Sequence, residues 1–235
     1  MAFVDKSYRD RNYNSPNPLR RYAHRSRFKK SIESIKIKDG ISVMDFGAGD
    51  GLFLNQLEGT NSNLRLVGFE PYMESIQENT IQIEKDWTQV IELSKKYKLF
   101  DYVTCFEVLE HFSPQNQYEA LRKMHSIVKD TGRVIISVPI EKGFPALVKN
   151  LIRKLNLPHS NHIFTSSNIL KSFLGRNLLE LRNDPGYMSH MGFYFTDLET
   201  EIKKLFTIEL KSYSPIGGPT YQTNSQVFYE LIKKV

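Results

Sequence analysis

The stretch VMDFGAGDGLF, residues 43–53, decides the fold of this chain. Its apolar start leads to the carboxylate of Asp45, after which Gly47, Gly49 and Gly51 alternate with other residues. A glycine-rich turn between a strand and a helix leaves the backbone bare, so that a ligand can approach it closely. The first question is which ligand needs such a turn with a carboxylate beside it.

Four ligands that contain a nucleoside are candidates, and the spacing of the glycines distinguishes between them. A nucleoside triphosphate loop would end in Gly-Lys-Ser/Thr, whereas this turn ends in Gly51-Leu52-Phe53. NAD and FAD favour the pattern Gly-x-Gly-x-x-Gly, whereas these glycines are spaced by two. Asp45 would repel a pyrophosphate. It suits the fourth ligand, which has an adenosine, no phosphate and an amino acid with an ammonium group.

Strand-like and helix-like segments alternate on both sides of this turn. Strands are predicted at 41–46, 63–70, 81–84, 100–107 and 133–139. Helices are predicted at 52–58, 71–79, 88–97 and 116–128. Such alternation predicts an α/β fold with a parallel sheet and helices on both faces. At the end of the chain, a helix at 196–205 precedes strands at 207–214 and 225–234, which predicts a terminal antiparallel hairpin.

The chain divides into four predicted segments. Residues 1–38 form a basic arm and helix, and residues 39–139 form the ligand-binding core. Residues 140–192 interrupt the alternation as an insertion after the fifth strand, without forming an independent domain. Residues 193–235 add a helix and the hairpin, which complete the same sheet.

Glu70 gives a second clue to the ligand. It ends the second predicted strand, nineteen residues after Gly51. A carboxylate in this position can accept hydrogen bonds from both hydroxyls of a ribose. The alternative is a strand-end carboxylate that faces water, and the distance from the glycine turn favours the ribose.

Three stretches resemble successive motifs of the class I S-adenosylmethionine-dependent methyltransferases. They are DFGAGDG at 45–51, FEPY at 69–72 and FDYVTCFEVLEH at 100–111. FEVLEH resembles the group that includes the ubiquinone-biosynthesis O-methyltransferases. The resemblance covers 41–139 well and the terminal hairpin in pattern only. It implies a Rossmann-like sheet of seven strands with the last one antiparallel. It also implies S-adenosylmethionine as cofactor, with S-adenosylhomocysteine as product.

The resemblance further implies a cofactor site in which Glu70 binds the ribose. The other residues that it assigns, from the methionine part of the cofactor through ribose and adenine to the methyl group, are Asp45, Phe46, Gly47, Ala48, Gly49 and Gly51, then Pro71 and Tyr72, then Asp86 and Trp87, and finally Phe106, Glu107 and Val108. The match at Asp86 and Trp87 is looser, because the strand before them is short and charged.

Transfer of a methyl group to a hydroxyl requires a group that takes a proton, and histidine has a suitable pKa. The candidate catalytic residues are His111, His162 and His190. His111 follows the fourth predicted strand, at the rim where ligands bind in open α/β sheets. His162 and His190 lie in the insertion, where recognition of the acceptor is expected. His125 lies within a predicted helix and is expected to be structural.

The spacing of three of these residues also raises the question of a metal ion. Glu107, Glu110 and His111 stand at i, i+3 and i+4, so one helical turn would present them on one face. His162 could complete the set, which resembles that of metal-assisted methyltransferases acting on vicinal hydroxyls. The alternative is hydrogen bonding within the group and to the acceptor. A divalent metal is therefore not expected, although the residues leave room for one.

Within the insertion, residues 144–155 have an apolar side and a basic side at helical spacing. We expect this segment to be mobile on hinges at Gly143 and Pro158 and to close over the acceptor. Its apolar side would select hydrophobic or lipid-linked acceptors, and its basic side could make a peripheral contact with a membrane. The alternative is a helix that buries its apolar side on the core.

Charge and composition set wider limits. The net charge is +6, and residues 1–38 hold eleven Lys and Arg against three Asp and Glu. Their cluster around His24 and Arg27 could contact an acceptor phosphate or form a solvated face. The single Cys105 excludes an internal disulfide or a thiolate zinc cluster. No apolar run resembles a signal peptide or a membrane span, which predicts a cytoplasmic protein.

The predicted function is therefore S-adenosylmethionine-dependent methyl transfer, with a hydroxyl oxygen of a small molecule, a glycan or a lipid-linked intermediate as the acceptor. N-methylation of an amine or RNA is one alternative, and a non-catalytic regulatory protein that binds the cofactor is another. Nucleic acid is disfavoured because no separate binding domain is evident. The oligomeric state stays open.

Overall fold

The strands form where runs of β-branched and aromatic residues lie between turns. The computed structural model describes residues 14, 16, 18–61, 63–72, 81–156, 162–183 and 190–234, and seven strands of this part make one sheet. They are β1 (Ser42–Phe46), β2 (Arg65–Phe69), β3 (Gln82–Glu84), β4 (Phe100–Phe106), β5 (Val128–Pro139), β6 (Phe206–Ser214) and β7 (Gln226–Lys233).

The order of the strands across the sheet is β3-β2-β1-β4-β5-β7-β6. Strands β1 to β5 pair in parallel, whereas β7 is antiparallel to both β5 and β6. This confirms the predicted Rossmann-like, mostly parallel sheet with its terminal antiparallel hairpin. The strand order reverses between β1 and β4, so a crevice opens at their carboxyl ends, where open α/β sheets bind their ligands.

Helices cover both faces of the sheet. They are α1 (Pro18–Glu33), α2 (Leu52–Glu58), α3 (Trp87–Lys96), α4 (Pro114–Ile127), α5 (Gly143–Asn156), α6 (Ser166–Phe173) and α7 (Phe195–Leu205). Alternate residues of β1 point to opposite faces. Met44 belongs to a core with side chains of α3, α4 and α7, whereas Val43 belongs to a core with side chains of α1 and α2. None of the helices in the described part of the chain is long and apolar enough to cross a bilayer.

The fifth strand is longer than the sequence predicts. The fifth strand begins at Val128 rather than at residue 133, because Val128 pairs with Phe100 of β4 and Lys129 contacts Asp101 at 2.6 Å. These contacts continue the sheet through residues 129–132, which lie between the predicted helix at 116–128 and the predicted strand at 133–139. The helix predicted at 71–79 falls mostly outside the described residues.

Helix α5 is oriented opposite to the expectation from its pattern. Its basic side faces inward, where Lys149 and Arg153 approach the carboxylate of Glu141 at 2.9 and 3.0 Å. Its apolar side faces outward, with Leu151 and Ile152 about half exposed. The cause is Glu141, which is fully buried and so requires opposite charge close to it. The alternative in which α5 buries its apolar side on the core therefore holds only for Leu147, which packs against the small core of the insertion.

Candidate functional site

The glycine turn follows β1 and precedes α2. Gly47, Gly49 and Gly51 have φ values of 81°, 53° and 73°, in the left-handed region that favours glycine. The backbone N–H groups of Gly47 and Ala48 both donate to the carbonyl of Phe69, at 2.8 and 3.1 Å. The turn is thereby fixed to the end of β2 at the rim of the crevice.

Gly47 also has to be small because β4 ends against it. A Cβ atom on Gly47 would lie 2.3 Å from Cγ2 of Val108, in the loop that follows β4. The turn after β1 and the loop after β4 therefore touch at the point where the strand order reverses. Val108 cannot easily move aside, since a β-branched side chain has few alternative rotamers.

Glu70 lies just beyond the end of β2, and two backbone groups hold its side chain. One carboxylate oxygen accepts from the N–H of Gly49 at 3.1 Å, and the other accepts from the N–H of Tyr72 at 3.2 Å. Each oxygen can accept a second hydrogen bond. The carboxylate is thus oriented at the mouth of the crevice with capacity to accept from a ligand.

A cavity of about 740 Å³ opens above this rim. Most of the residues that the sequence assigns to the site line it, namely Asp45, Phe46, Gly47, Ala48, Gly49, Glu70, Pro71, Tyr72, Phe106, Glu107, Val108 and His111. Its volume is within the range of pockets that bind small molecules and cofactors.

Five of the assigned residues, all of them described, do not line this cavity: Gly51, Asp86, Trp87, His162 and His190. Gly51 lies just before α2 and ends the turn. Asp86 caps α3 by accepting from the N–H of Thr88 at 2.9 Å, and the ring of Trp87 packs against Phe69. The assignment of Asp86 and Trp87 to the adenine stays a prediction.

The cavity has an acidic lining. Among the described residues it includes five carboxylates, Asp45, Asp50, Glu70, Glu107 and Glu119, and two cations, Arg27 and Lys123. Burial, with the charge of Glu70, raises the pKa of Asp45 to about 7, although Thr104 donates a hydrogen bond to it at 2.7 Å. A ligand that carries positive charge would relieve this cost, whereas a pyrophosphate would add to it.

Arg27 lines the cavity, whereas the sequence assigned its basic cluster to an acceptor phosphate or to a solvated face. It comes from α1, is 4% exposed, and places Nη1 3.6 Å from a carboxylate oxygen of Glu107. Burial lowers the pKa of Arg27, against the charges of the nearby carboxylates. Arg27 and Ser31 stand four residues apart on one side of α1 and are both buried, so this side of the helix is not a solvated face.

The loop after β4 differs from the single helical turn predicted for Glu107, Glu110 and His111. Glu107 has φ 58°, which is rare for a residue other than glycine, and a 3-10 helix then covers Leu109–His111. The three side chains therefore do not share one helical face. Unusual backbone of this kind is found often at functional sites.

Glu110 is buried, and the charge of Arg27 and the imidazole of His111, 3.9 Å from one carboxylate oxygen, compensate its charge only in part. It is 2% exposed, and neither carboxylate oxygen has a hydrogen-bond partner in another described residue. Burial and the neighbouring Glu107 raise the pKa of Glu110 well above its ordinary value. An unsatisfied buried carboxylate is costly, which indicates that this position awaits a proton or a cation.

Two histidines adjoin Glu110. Possible ligand atoms of Glu110, His111 and His190 all lie within 4.8 Å of one another. The two imidazole rings meet edge to face, with centroids 4.7 Å apart. Burial lowers the pKa of His190 to about 3, and burial with Arg182 lowers the pKa of His111, so both rings are neutral at pH 7.

The remaining histidines lie elsewhere. His162 is exposed and is not part of this cluster, so the fourth ligand suggested by the sequence is not brought to it. The ring of His125 packs on Phe206, with centroids 5.3 Å apart. His24 lies on α1, and His159 falls outside the described residues.

Arg182 connects the insertion to this loop. Its Nη2 donates to the carbonyls of Glu110 and Phe112, at 2.6 and 2.8 Å. Through Arg182 and His190, the insertion thus contacts the loop that carries His111. The sequence reasoning named His190 but gave no role to Arg182.

Comparisons with known proteins agree with this geometry. A family model described as a methyltransferase domain matches residues 19–179. A ubiquinone biosynthesis O-methyltransferase from Bradyrhizobium diazoefficiens is 26% identical over 132 residues, which are 52% of this chain and 50% of the relative. A second one, from another Bradyrhizobium strain, is 26% identical over 131 residues. The chain thus spans about half the length of the curated relatives that it matches.

Solved structures share the fold at low sequence identity. A SAM-dependent methyltransferase from Archaeoglobus fulgidus has a TM-score of 0.56 at 16% identity, covering 91% of this chain and 94% of that one. The magnesium protoporphyrin IX methyltransferase of Synechocystis, solved with bound SAH, has a TM-score of 0.55 at 13% identity, covering 96% and 92%. At these identities the likeness concerns the fold alone.

Proposed function

The chain belongs to the class I S-adenosylmethionine-dependent methyltransferases, and we propose that it methylates a hydroxyl oxygen of a small molecule, a glycan or a lipid-linked intermediate. The observation that carries the proposal is the acidic cavity that extends from the glycine turn to the neutral imidazole of His111. The matched O-methyltransferases favour oxygen as the atom that is methylated.

The cavity fits S-adenosylmethionine, which when bound supplies a methyl group on a positively charged sulfonium. The carboxylate of Asp45 is placed to accept from the ammonium group of the cofactor. Glu70, oriented by Gly49 and Tyr72, accepts from the ribose hydroxyls. Arg27 balances Glu107 on the wall and offers a cation to the carboxylate of the methionine part.

We propose His111, among the described residues, as the base. It lines the cavity, and its lowered pKa keeps the ring neutral and able to take a proton at pH 7. Arg182 fixes the loop that carries it, and the ring of His190 packs against it. The chain would thus hold the acceptor hydroxyl between His111 and the cofactor and remove its proton as the oxygen is methylated.

The test uses a catechol acid as probe and S-adenosylhomocysteine release as readout. Titration calorimetry should show that S-adenosylmethionine binds and that NAD does not. His111→Gln should leave the affinity for the cofactor within about twofold and lower kcat by about 10²–10⁴, the usual contribution of a general base. His125→Gln is the matched control and should change neither quantity. An unchanged kcat in His111→Gln would exclude His111 as the base.

The two alternatives give different results in the same assay. Turnover with amine or RNA probes, and not with hydroxylated ones, would show that the chain methylates nitrogen rather than oxygen. Cofactor binding without turnover, tested with extracts as the source of acceptor, would favour the regulatory protein.

As an alternative to the general-base role of His111, we propose that Glu110, His111 and His190 hold a divalent cation, which would assist deprotonation of a vicinal diol. The proposal is supported by the two unsatisfied carboxylate oxygens of Glu110 and by the two neutral imidazoles within 4.8 Å. Carboxylate and imidazole are common ligands of such ions, and imidazole has to be neutral to bind.

Ion binding can be measured apart from activity. Manganese or zinc should raise the melting temperature of the wild type and not that of Glu110→Gln. Without any ion, Glu110→Gln should melt at or above the wild-type temperature, because it removes a buried charge beside Glu107. An equal response of both proteins to the ions, with activity that survives chelation, would contradict the cation site.

A further inference from the structure

The outward side of α5 is an apolar surface without an apparent role in the cofactor site. Its members recur at intervals of three or four residues, so that they form one stripe along the helix. They are exposed by 41% to 82%: Phe144, Val148, Leu151, Ile152 and Leu155. None of these described residues lines the 740 Å³ cavity.

The neighbouring part of the insertion adds to this surface. Leu170 and Phe173 of α6, and Leu174 and Leu179 after it, are exposed as well. Nine of the thirteen exposed large hydrophobic residues in the described part of the chain therefore lie between residues 144 and 179. Concentration of exposed apolar residues in one segment marks an interaction surface, whereas scattered ones need no explanation.

The charge of the same segment indicates what it meets. Residues 142–179 contain six Lys and Arg and no Asp or Glu. Lys149 and Arg153 turn inward to Glu141, and Lys142 stacks on the rings of Phe195 and Tyr221. This leaves Lys154, Lys171 and Arg176 next to the apolar residues along the chain. An exposed apolar stripe with lysine and arginine beside it is the arrangement of helices that lie in the surface of an anionic bilayer.

We propose that α5 and α6 dock this protein on an anionic lipid surface, with the stripe Phe144–Leu155 inserted among the acyl chains. The orientation is the reverse of the contact suggested by the sequence, in which the basic side of α5 met the membrane. The inward pairing of Lys149 and Arg153 with Glu141 is what turns the apolar stripe outward. Docking goes beyond the proposed methyl transfer and does not depend on it.

A second copy of this chain is the other occupant to consider. A symmetric dimer through this surface would bring the same residues of both copies together. Because the segment has only positive charges, the two copies would repel each other, whereas an anionic bilayer attracts them. The charge therefore favours lipid.

Co-sedimentation with vesicles, without methyl donor or acceptor, tests the proposal. The wild type should sediment with phosphatidylcholine–phosphatidylglycerol vesicles and more weakly with phosphatidylcholine alone. The double variant Leu151→Ser, Ile152→Ser should partition at least about tenfold less, since two inserted side chains become polar. Leu210→Ser, which changes an equally exposed leucine on β6, is the matched control and should bind as the wild type does.

A charge variant, Lys171→Glu with Arg176→Glu, should lose the preference for anionic vesicles. Equal sedimentation of the wild type and the double serine variant would overturn the proposal, as would a wild type that stays in the supernatant with both vesicle types. Sedimentation equilibrium without lipid tests whether the surface instead binds a second copy of the chain. A dimer that the serine substitutions dissociate, together with no vesicle binding, would assign the surface to a second copy. Since no assay here involves methyl transfer, failure of the proposed enzyme activity would leave the result unaffected.

Discussion

The glycine turn after β1 and helix α5 in the insertion are held by different kinds of contact. The turn depends on its neighbours: backbone hydrogen bonds to Phe69 and the contact between Gly47 and Val108. The orientation of α5 depends on one buried charge, Glu141, which attracts the basic side of the helix and exposes its apolar side. A sequence motif therefore indicates where the backbone needs glycine. The side that an amphipathic helix buries, in contrast, can be decided by a residue outside the helix.

The largest effect is expected where the turn is most constrained. Gly47→Ala should weaken binding of S-adenosylmethionine by about 2–5 kcal/mol, the sum of a left-handed alanine and of overlap with Val108. Gly49→Ala is the matched comparison. It also has positive φ, but its Cβ would meet nothing within 4 Å. Calorimetry with the cofactor measures both.

The double variant Gly47→Ala, Val108→Ala separates the two causes. Removal of the valine methyl groups should recover the steric part and leave about 1–2 kcal/mol for the backbone. If Gly47→Ala and Gly49→Ala bind the cofactor equally well, the close contact between the turn and the loop after β4 has no role in binding.

The next effect concerns the edge of the same site. Glu70→Gln should weaken cofactor binding by about 1–3 kcal/mol, because charge-assisted hydrogen bonds to the ribose are lost. Asp86→Asn provides the comparison, since Asp86 caps α3 and its side chain lies outside the cavity lining. A loss of affinity in Asp86→Asn as large as that in Glu70→Gln would restore Asp86 to the adenine site.

Much of the core could be predicted from sequence because local patterns determine it. The alternation of strands and helices, the glycine spacing and the acid after β2 gave the sheet and the cofactor side of the crevice. Arg182 was missed, and Arg27 was assigned to an acceptor phosphate or a solvated face, because each reaches the site from a distant element and one sequence shows no such contacts. The predicted turn at Glu107–His111 failed because Glu107 adopts a left-handed conformation that helical spacing does not indicate.

The charge that orients α5 should make stability depend on pH. Burial alone would raise the pKa of Glu141, but the opposing effect of Lys149 and Arg153 is larger. The net result is a pKa lowered from 4.5 to about 2. A folded pKa below the unfolded one means that the stabilisation is complete above pH 4.5 and is lost as the pH falls through 2.

Urea unfolding of the wild type and of Glu141→Gln at several pH values measures this contribution. At neutral pH the wild type should be more stable by about 2 kcal/mol, because the variant leaves Lys149 and Arg153 without their acid. The difference should shrink towards acid pH. A difference that does not change between pH 7 and pH 3 would show that the ion pairs do not orient α5.

The smallest effect on the free energy of unfolding is expected for substitutions on the outer side of α5. There the structure differs most from the rule that an apolar stripe is buried. An apolar stripe normally packs inward, so serine at Leu151 and Ile152 would ordinarily cost several kcal/mol. Here both side chains are about half exposed, and the double serine variant should change the free energy of unfolding by no more than about 0.5 kcal/mol.

Ile169→Ser on α6 is the control. Ile169 is 4% exposed within the small core of the insertion, and its loss should cost about 2–4 kcal/mol. Thermal and urea unfolding of the two variants compare them directly. A large destabilisation by the double serine variant would mean that the stripe is covered in solution, and that α5 follows the ordinary rule after all.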